Sequence, residues 1–239
     1  MYNLFISLAA GLIVAAAIRV GGFGWVAVFV PGVLATAIAY VALNFRAQKR
    51  LNAVIEVAVT EAQARRFDRA IQVAKGALAL GPWLFGTRAA VSALIGQFLW
   101  WKGDGESAVP YLERAPSGQW PARVMLAIGR WRKRDLAGMR KVFESTLKAR
   151  GNRKQGLLWC AYAWLLEKEN HHDDAVRVLG RSVAANPTDD KLKSALQSLQ
   201  NGKKLKIGKL YVEWYNFGVE SPPQAMPPGF RSGRRALYR

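Results

Sequence analysis

The sequence predicts an all-α protein that starts with a two-helix transmembrane hairpin, continues as a series of paired helices and ends in an extended tail. Three observations lead to this prediction. Residues 1–45 are almost free of charge, residues 46–202 place apolar side chains at helical spacing, and residues 203–239 combine basic, aromatic and proline residues. Strict alternation, the pattern of a half-buried strand, does not occur before residue 205. We therefore expect three regions with these boundaries.

The transmembrane hairpin is predicted from two uncharged runs, Tyr2 to Ile18 and Trp25 to Leu43. A membrane span needs about 20 apolar residues, with about 17 as the lower limit. Arg19 and the glycine-rich stretch 21–24 separate the runs and are expected to form a tight turn. Small residues along both runs allow the two helices to approach closely in lipid. Pro31 frees a backbone carbonyl within the second run, which predicts a bend there.

A cleavable signal peptide followed by a single span is the alternative interpretation of the first run. Its small residues, Ala15 to Ala17, would suit such a segment. Residues Met1 to Asn3, however, lack the positive charge with which a signal peptide begins. A second apolar run only a few residues later also fits a hairpin better than a secreted start.

Charge predicts the orientation of the hairpin. Arg19 is the one charged residue between Met1 and Tyr40. Basic residues then follow the second run: Arg46, Lys49, Arg50, Arg65 and Arg66. The positive-inside rule places this side in the cytoplasm. Because usage rich in Ala, Arg and Trp is typical of bacteria, the predicted location is the bacterial inner (cytoplasmic) membrane, with the soluble domain facing the cytoplasm.

Composition limits the partners and the chemistry. The net charge of +19 favours anionic partners, namely lipid headgroups, nucleic acid or an acidic protein face. The single cysteine, Cys160, excludes an intramolecular disulfide and lies in an apolar helical run. It is therefore predicted to be a buried small hydrophobe and not a nucleophile.

Two stretches of the middle region share one spacing of small residues followed by a proline. They are Ala70, Ala74, Ala77 and Pro82, and Ala175, Leu179, Ser182 and Pro187. Small residues at these points allow two helices to touch closely, and the proline ends the second helix. The stretches lie close to three lengths of about 34 residues apart, which is the period of a known helical repeat.

This pattern resembles the tetratricopeptide repeat, a helix-turn-helix unit. The best copy is Gly156 to Asp189, in which Trp159, Ala175 and Pro187 fall on signature positions. A copy at 51–84 keeps the second-helix half of the pattern but has an aliphatic residue where tryptophan is usual.

Two poorer units are expected between these copies. The second would use 96–115, and the third would pair Ala122 to Lys133 with Leu136 to Ala149. The amphipathic stretch Asp189 to Gln200 then suits a capping helix. The resemblance covers roughly residues 50–200 and implies an α-solenoid that binds protein on a concave face lined by the first helix of each unit.

Mapped onto this chain, the resemblance implies a partner-binding groove. Its residues are Ile55, Val59, Gln97, Trp101, Trp164 and Lys168. One subfamily captures chaperone C-termini with Lys and Asn at positions where this chain has Ile55 and Val59, so that clamp is absent. The groove as mapped is apolar, which suits a helix or an extended apolar segment. The alternative is that these side chains pack against neighbouring helices or against the hairpin.

Two basic regions complete the candidate surfaces. The first contains Arg130, Arg132, Lys133, Arg134, Arg150, Arg153 and Lys154. The second is the tail, with Trp214, Tyr215, Phe217, Arg234 and Arg235. Its prolines favour an extended, polyproline-like path, and its aromatic residues predict that it lies along the repeat domain or along a partner.

Motifs for catalysis are lacking in the sequence. It contains no metal-ligand spacing, no phosphate loop and no nucleophilic serine motif, and the pair His171-His172 is predicted to lie in a solvated turn. We therefore expect no enzyme activity, no cofactor, no metal and no small-molecule substrate.

The sequence thus predicts a membrane-anchored scaffold or adaptor that acts as a structural or assembly subunit of a larger bacterial membrane complex. Its expected partners are integral-membrane subunits of that complex, together with anionic lipid headgroups. The alternative function is electrostatic binding of anionic lipid, RNA or ribosomes at the membrane surface.

Overall fold

The structure is a computed structural model that describes residues 2–22 and 24–223. Within these ranges it is helical and contains no strand, which confirms the all-α prediction. The helices are α1 (Tyr2–Val20), α2 (Trp25–Gln63), α3 (Phe67–Ala77), α4 (Thr87–Lys102), α5 (Gly105–Glu113), α6 (Trp120–Arg132), α7 (Leu136–Lys148), α8 (Gly156–Lys168), α9 (His172–Ala185), α10 (Asp190–Gln200) and α11 (Ile207–Leu210). Two compact units can be distinguished, Met1–Val91 and Ser92–Arg239.

In the first unit, α1 and α2 pack against each other along two glycines. A Cβ atom added to Gly11 would lie 2.7 Å from the carbonyl oxygen of Gly32 and would overlap the Thr36 side chain, so α1 approaches α2 closely at this glycine. The side-chain amide of Asn3 donates to the Asn44 side-chain oxygen at 3.1 Å, which joins the start of α1 to α2. Both helices are long and apolar enough to cross a membrane, and most of their large apolar side chains are exposed.

Helix α2 is longer than the predicted span. The whole helix is 39 residues long and runs through Pro31 without a break. The predicted region boundary at residue 45 therefore lies inside a continuous helix. The physical reason is that 45–63 contains neither glycine nor proline, and nothing there breaks the helix. This second half packs against α3 through small buried residues, among them Ala58, Ala70 and Ala74.

In the second unit, consecutive helices pack as neighbours. Helix α6 packs against α7 and α8 against α9, while α5 contacts α6 and α10 contacts α9. Helix α8 lies at the centre, since its residues Gly156 to Leu166 are all buried. Asp135 and Asp189 cap α7 and α10, with carboxylates that accept from the backbone N–H groups of Gly138 at 2.8 Å and Lys191 at 3.0 Å.

The first part of the tail differs from the extended path that the sequence predicts. Residues 207–210 form α11, and Val212–Phe217 form a 3₁₀ helix. In such a helix, residues three apart share a face, so Trp214 and Phe217 reach the hydrophobic core together. Burial of two large aromatic side chains therefore decides the local conformation. The predictions for Pro227, Pro228, Arg234 and Arg235 lie outside the described residues.

Candidate functional site

A row of tryptophans marks one face of the second unit, and we call it the tryptophan face. It comprises Trp100 and Trp101 on α4, Trp120 and Trp131 on α6, and Trp164 on α8. Helices α6 and α8 are each the first of a packed helix pair. The rings of Trp131 and Trp164 lie 6.0 Å apart in an edge-to-face arrangement, which links α6 to α8.

The chain's own residues 211–218, the tail segment, lie on this face. The indole N–H of Trp100 donates to the carbonyl of Phe217 at 3.0 Å, and that of Trp101 donates to the carbonyl of Asn216 at 3.0 Å. Arg132 donates to the next carbonyl, that of Gly218, at 3.2 Å. Three consecutive carbonyls thus accept from side chains of α4 and α6. The face recognises main-chain atoms, which every peptide carries.

Two aromatic side chains of the tail segment are buried and anchor it to the second unit. Trp214 is fully buried, and its ring lies 5.3 Å from that of Trp164 in an edge-to-face arrangement. Its indole N–H donates to Glu220 at 2.8 Å, so the buried donor has a partner. Phe217 is also buried, with its ring 6.3 Å from that of Trp120.

The start of the tail segment is held at α8 and α10. The hydroxyl of Tyr211 donates to Asp189 at 3.4 Å, and Lys191 lies over its ring at 4.9 Å from the centroid. Gly156 makes room for this tyrosine, because an added Cβ would lie 2.9 Å from the ring carbon Cζ. Burial raises the pKa of Tyr211, with smaller contributions in the same direction from the neighbouring Cys160 and Asp189.

A basic groove lies beside the tail segment, with a volume of about 1170 Å³. Cationic side chains from α6, α8 and the tail line it: Arg132, Lys168, Lys206 and Lys209. The aromatic side chains of Trp131, Trp164 and Tyr215 also line it, and Glu220 adds a carboxylate. Such a groove offers cations and flat apolar walls to the same ligand.

The residues predicted for the partner-binding groove fall into both units. Trp101 and Trp164 contact the tail segment, and Lys168 lines the basic groove with its ammonium 4.7 Å from the Trp164 ring centroid. Gln97 is half-buried on α4. Ile55 and Val59 are half-buried on α2, in the first unit. The alternative of internal packing therefore describes Trp164, which is buried, whereas Trp101 is 39% exposed beside the tail segment.

Sequence reasoning missed several residues of this site. Trp100 binds a tail carbonyl, and Lys206 and Lys209 complete the groove from a distant part of the chain. Arg132 was predicted as part of a basic surface, but not as a donor to the tail. The adjacent tryptophans at 100 and 101 were the available signal, since two indole donors on one helix turn are unusual. Nothing in the local sequence places the lysines of the tail beside α6 and α8.

Several residues of the predicted basic surface have partners within the protein. Arg130 pairs with Glu113 and with Asp135, the latter at 3.1 Å. Arg134 lies 3.4 Å from a carboxylate oxygen of Glu169.

The other members of that surface are all exposed, and two of them also contact the backbone of the protein. Arg132 binds the tail segment, and the Nε of Arg153 donates to the carbonyl of Leu147 at 3.4 Å. Lys133, Arg150 and Lys154 are exposed. All seven predicted residues except Arg130 are nevertheless exposed, so the basic surface remains accessible to solvent.

The remaining candidate residues have simple environments. Cys160 is buried as predicted, and burial raises the pKa of its thiol to about 12. His171 and His172 are exposed at the turn before α9, and His172 Nδ1 lies 2.7 Å from a carboxylate oxygen of Glu167. Among residues 2–22 and 24–223, no cluster of three or more His, Cys, Asp or Glu side chains could hold a metal ion.

No protein-family model matches the chain, and no curated protein matches it. A functional assignment therefore depends on the tryptophan face, the basic groove and the two apolar helices.

Proposed function

We propose that this protein is a membrane-anchored scaffold or adaptor, built from tetratricopeptide-like helix pairs, that binds an acidic segment of a protein partner. The partner would be a subunit of a larger complex in a bacterial inner membrane, with the second unit on the cytoplasmic side. The observation that carries the proposal is the basic groove, in which four cationic side chains surround aromatic walls. We propose no catalytic role.

The chemistry of the groove suits a polypeptide with carboxylates. Lysine and arginine side chains bind carboxylates through charge-assisted hydrogen bonds. The aromatic rings of Trp131, Trp164 and Tyr215 bury apolar surface of the same ligand. The neighbouring tryptophan face shows that α4 and α6 hold a peptide main chain through side-chain donors.

Membrane anchoring is supported by the dimensions of the first unit. The 19 residues of α1 extend about 28 Å at 1.5 Å per residue, close to the roughly 30 Å of a bilayer's hydrocarbon core. The basic residues Arg46, Lys49 and Arg50 follow directly after the apolar part of α2, which favours the cytoplasm for that side.

The tetratricopeptide resemblance is supported by local agreement in one copy. Helix α8 starts at Gly156 and α9 ends at Ala185, shortly before Pro187. The small residues Ala175 and Ser182 are fully buried where the pattern expects close helix contact.

Charge reversal of the groove tests the proposal. The full-length, tagged protein is extracted in mild detergent, and the co-purifying proteins are identified for three versions. The groove variant carries Lys168→Glu, Lys206→Glu and Lys209→Glu. The control carries Lys133→Glu, Arg150→Glu and Lys154→Glu, which make the same change in net charge on exposed positions outside the groove. We expect partners to be lost from the groove variant and kept by the control.

Electrostatic binding of anionic lipid or RNA is the second candidate, favoured by the net charge of +19. Such binding depends on total charge and falls steeply as salt rises. It would weaken equally in both triple variants. Equal loss, together with binding to bare anionic vesicles or RNA by the purified protein, would therefore favour this candidate over the scaffold.

A further inference from the structure

An aromatic loop, residues 81–86, connects α3 and its following 3₁₀ turn to α4 in the first unit. Its apolar side chains point in different directions. Leu84 is buried, whereas Trp83 is 38% exposed and Phe85 is 92% exposed. A phenylalanine this exposed leaves nearly its whole ring available to the surroundings, which is costly in water.

The aromatic loop is bonded to the first residue of α1. The backbone N–H of Tyr2 donates to the carbonyl of Pro82 at 3.1 Å. The rings of Tyr2 and Trp83 lie 5.4 Å apart in an edge-to-face arrangement. The position of Tyr2 relative to a bilayer therefore decides the position of the loop.

Tyr2 lies at the end of a span-length helix. Since α1 matches the thickness of the hydrocarbon core, its two ends fall at the two edges of that core. Asn3 is hydrogen-bonded to Asn44, and Arg46 follows two residues later on α2. Polar and cationic residues at the same depth along the hairpin indicate the boundary between hydrocarbon and headgroups.

The path of the chain returns to this boundary. After Asn44, α2 continues through 45–63, which extends about 28 Å beyond the edge. Helix α3 packs against this extension, and the chain then reaches Pro82 beside Tyr2. The chain leaves the membrane along α2 and comes back to it at the aromatic loop.

We infer that the aromatic loop inserts Trp83 and Phe85 into the interfacial region of the cytoplasmic leaflet, as a membrane contact in addition to α1 and α2. Aromatic side chains are enriched at this depth. The occupant of the exposed surface is lipid because the loop is continuous, through Tyr2, with the apolar surface of the hairpin. The inference rests on the proposed membrane anchoring.

Fluorescent labelling at three positions separates this inference from the anchoring itself. The full-length protein carries Phe85→Cys, Phe45→Cys or Val57→Cys and an environment-sensitive dye. It is reconstituted into vesicles of phosphatidylethanolamine and phosphatidylglycerol, with and without lipid that bears a nitroxide close to the headgroup.

All three side chains are more than half exposed, and the native Cys160 is buried, so labelling occurs at the new thiol. Phe45 lies at the proposed edge, and Val57 lies about 20 Å beyond it along α2.

We expect the dyes at 85 and 45 to show blue-shifted emission and to lose most of their fluorescence in nitroxide lipid, while the dye at 57 stays unquenched. An unquenched dye at 85 beside a quenched dye at 45 would overturn the inference and leave the anchoring intact. If the dye at 45 is unquenched as well, Phe45 does not lie at the membrane, and the proposed anchoring is wrong. Quenching at 57 to the same degree as at 85 would also contradict the inference, because the extension of α2 would then lie on the membrane.

Discussion

Trp214 connects the tail segment to the helices through its ring and through its indole N–H. It is fully buried against Trp164, and its N–H is satisfied by Glu220. An indole in this position contributes buried apolar area and a satisfied donor together. Trp214 is therefore one of the main contacts between the tail segment and the helices.

We predict that Trp214→Ala destabilises the second unit by about 3–5 kcal/mol, because it removes a large buried side chain and leaves a cavity. Thermal unfolding of the full chain in detergent, followed by circular dichroism, measures the effect. Val212→Ala is the matched control, since that side chain lies in the same 3₁₀ helix and is exposed. Equal melting temperatures for the two variants would contradict the assigned role of Trp214.

We predict that Cys160 does not react with thiol reagents in the folded protein. Burial raises the pKa of its thiol to about 12, so little thiolate exists at neutral pH. Mass spectrometry after maleimide treatment should show no adduct before denaturation and one afterwards. Below the ordinary thiol pKa of about 8.5, this thiol is protonated in both the folded and the unfolded chain. As pH rises above that value, the unfolded thiol ionises first, so the free energy of unfolding decreases.

At the scale of the elements, close helix contacts depend on residues that lack side chains. Gly11 meets the carbonyl oxygen of Gly32 across the hairpin, whereas nothing lies within 4 Å of the position of a Cβ at Gly76 on α3. The two glycines therefore respond differently to the same added methyl group.

We predict opposite effects for alanine at these positions. Gly11→Ala should destabilise the hairpin by about 1–3 kcal/mol through overpacking against backbone. Gly76→Ala should be neutral or stabilising by up to about 1 kcal/mol, because alanine favours the helix. Melting temperatures in one detergent compare them directly. A stabilising Gly11→Ala would show that α1 and α2 do not pack as described.

Local patterns predicted the elements better than their connections. The apolar runs predicted α1 and the start of α2, and the spacing of Ala175 and Pro187 predicted the extent of α9. The continuous α2 was missed, because the end of a hydrophobic run is not the end of a helix. The shape of 207–217 was missed as well, because it depends on Trp164 and other residues far away in the sequence. The sequence pointed to Trp101, Trp164 and Lys168 and to the aromatic residues of the tail, but it did not indicate which carbonyls and lysines of the tail lie beside α4, α6 and α8.

At the scale of the whole molecule, the distribution of charge along the chain determines the expected topology. The turn between α1 and α2 carries little charge, and the basic residues follow α2. This asymmetry orients membrane proteins with the basic side in the cytoplasm.

We predict that Val20→Cys is labelled from outside intact cells by a membrane-impermeant maleimide, and that Lys154→Cys is labelled only after the membrane is opened. Both side chains are exposed, so burial does not protect either thiol. Labelling with the reverse pattern would place the second unit on the other side and contradict the proposed location.

The tail segment is synthesised after the helices whose side-chain donors it binds. Until residues 211–218 leave the ribosome, the donors of Trp100, Trp101 and Arg132 lack the carbonyls that they bind in the finished fold. A chain that ends prematurely would expose aromatic surface, which chaperones and proteases recognise. The same contact therefore makes a chain that stops before residue 211 distinguishable, by its exposed indoles, from one that continues through the tail segment.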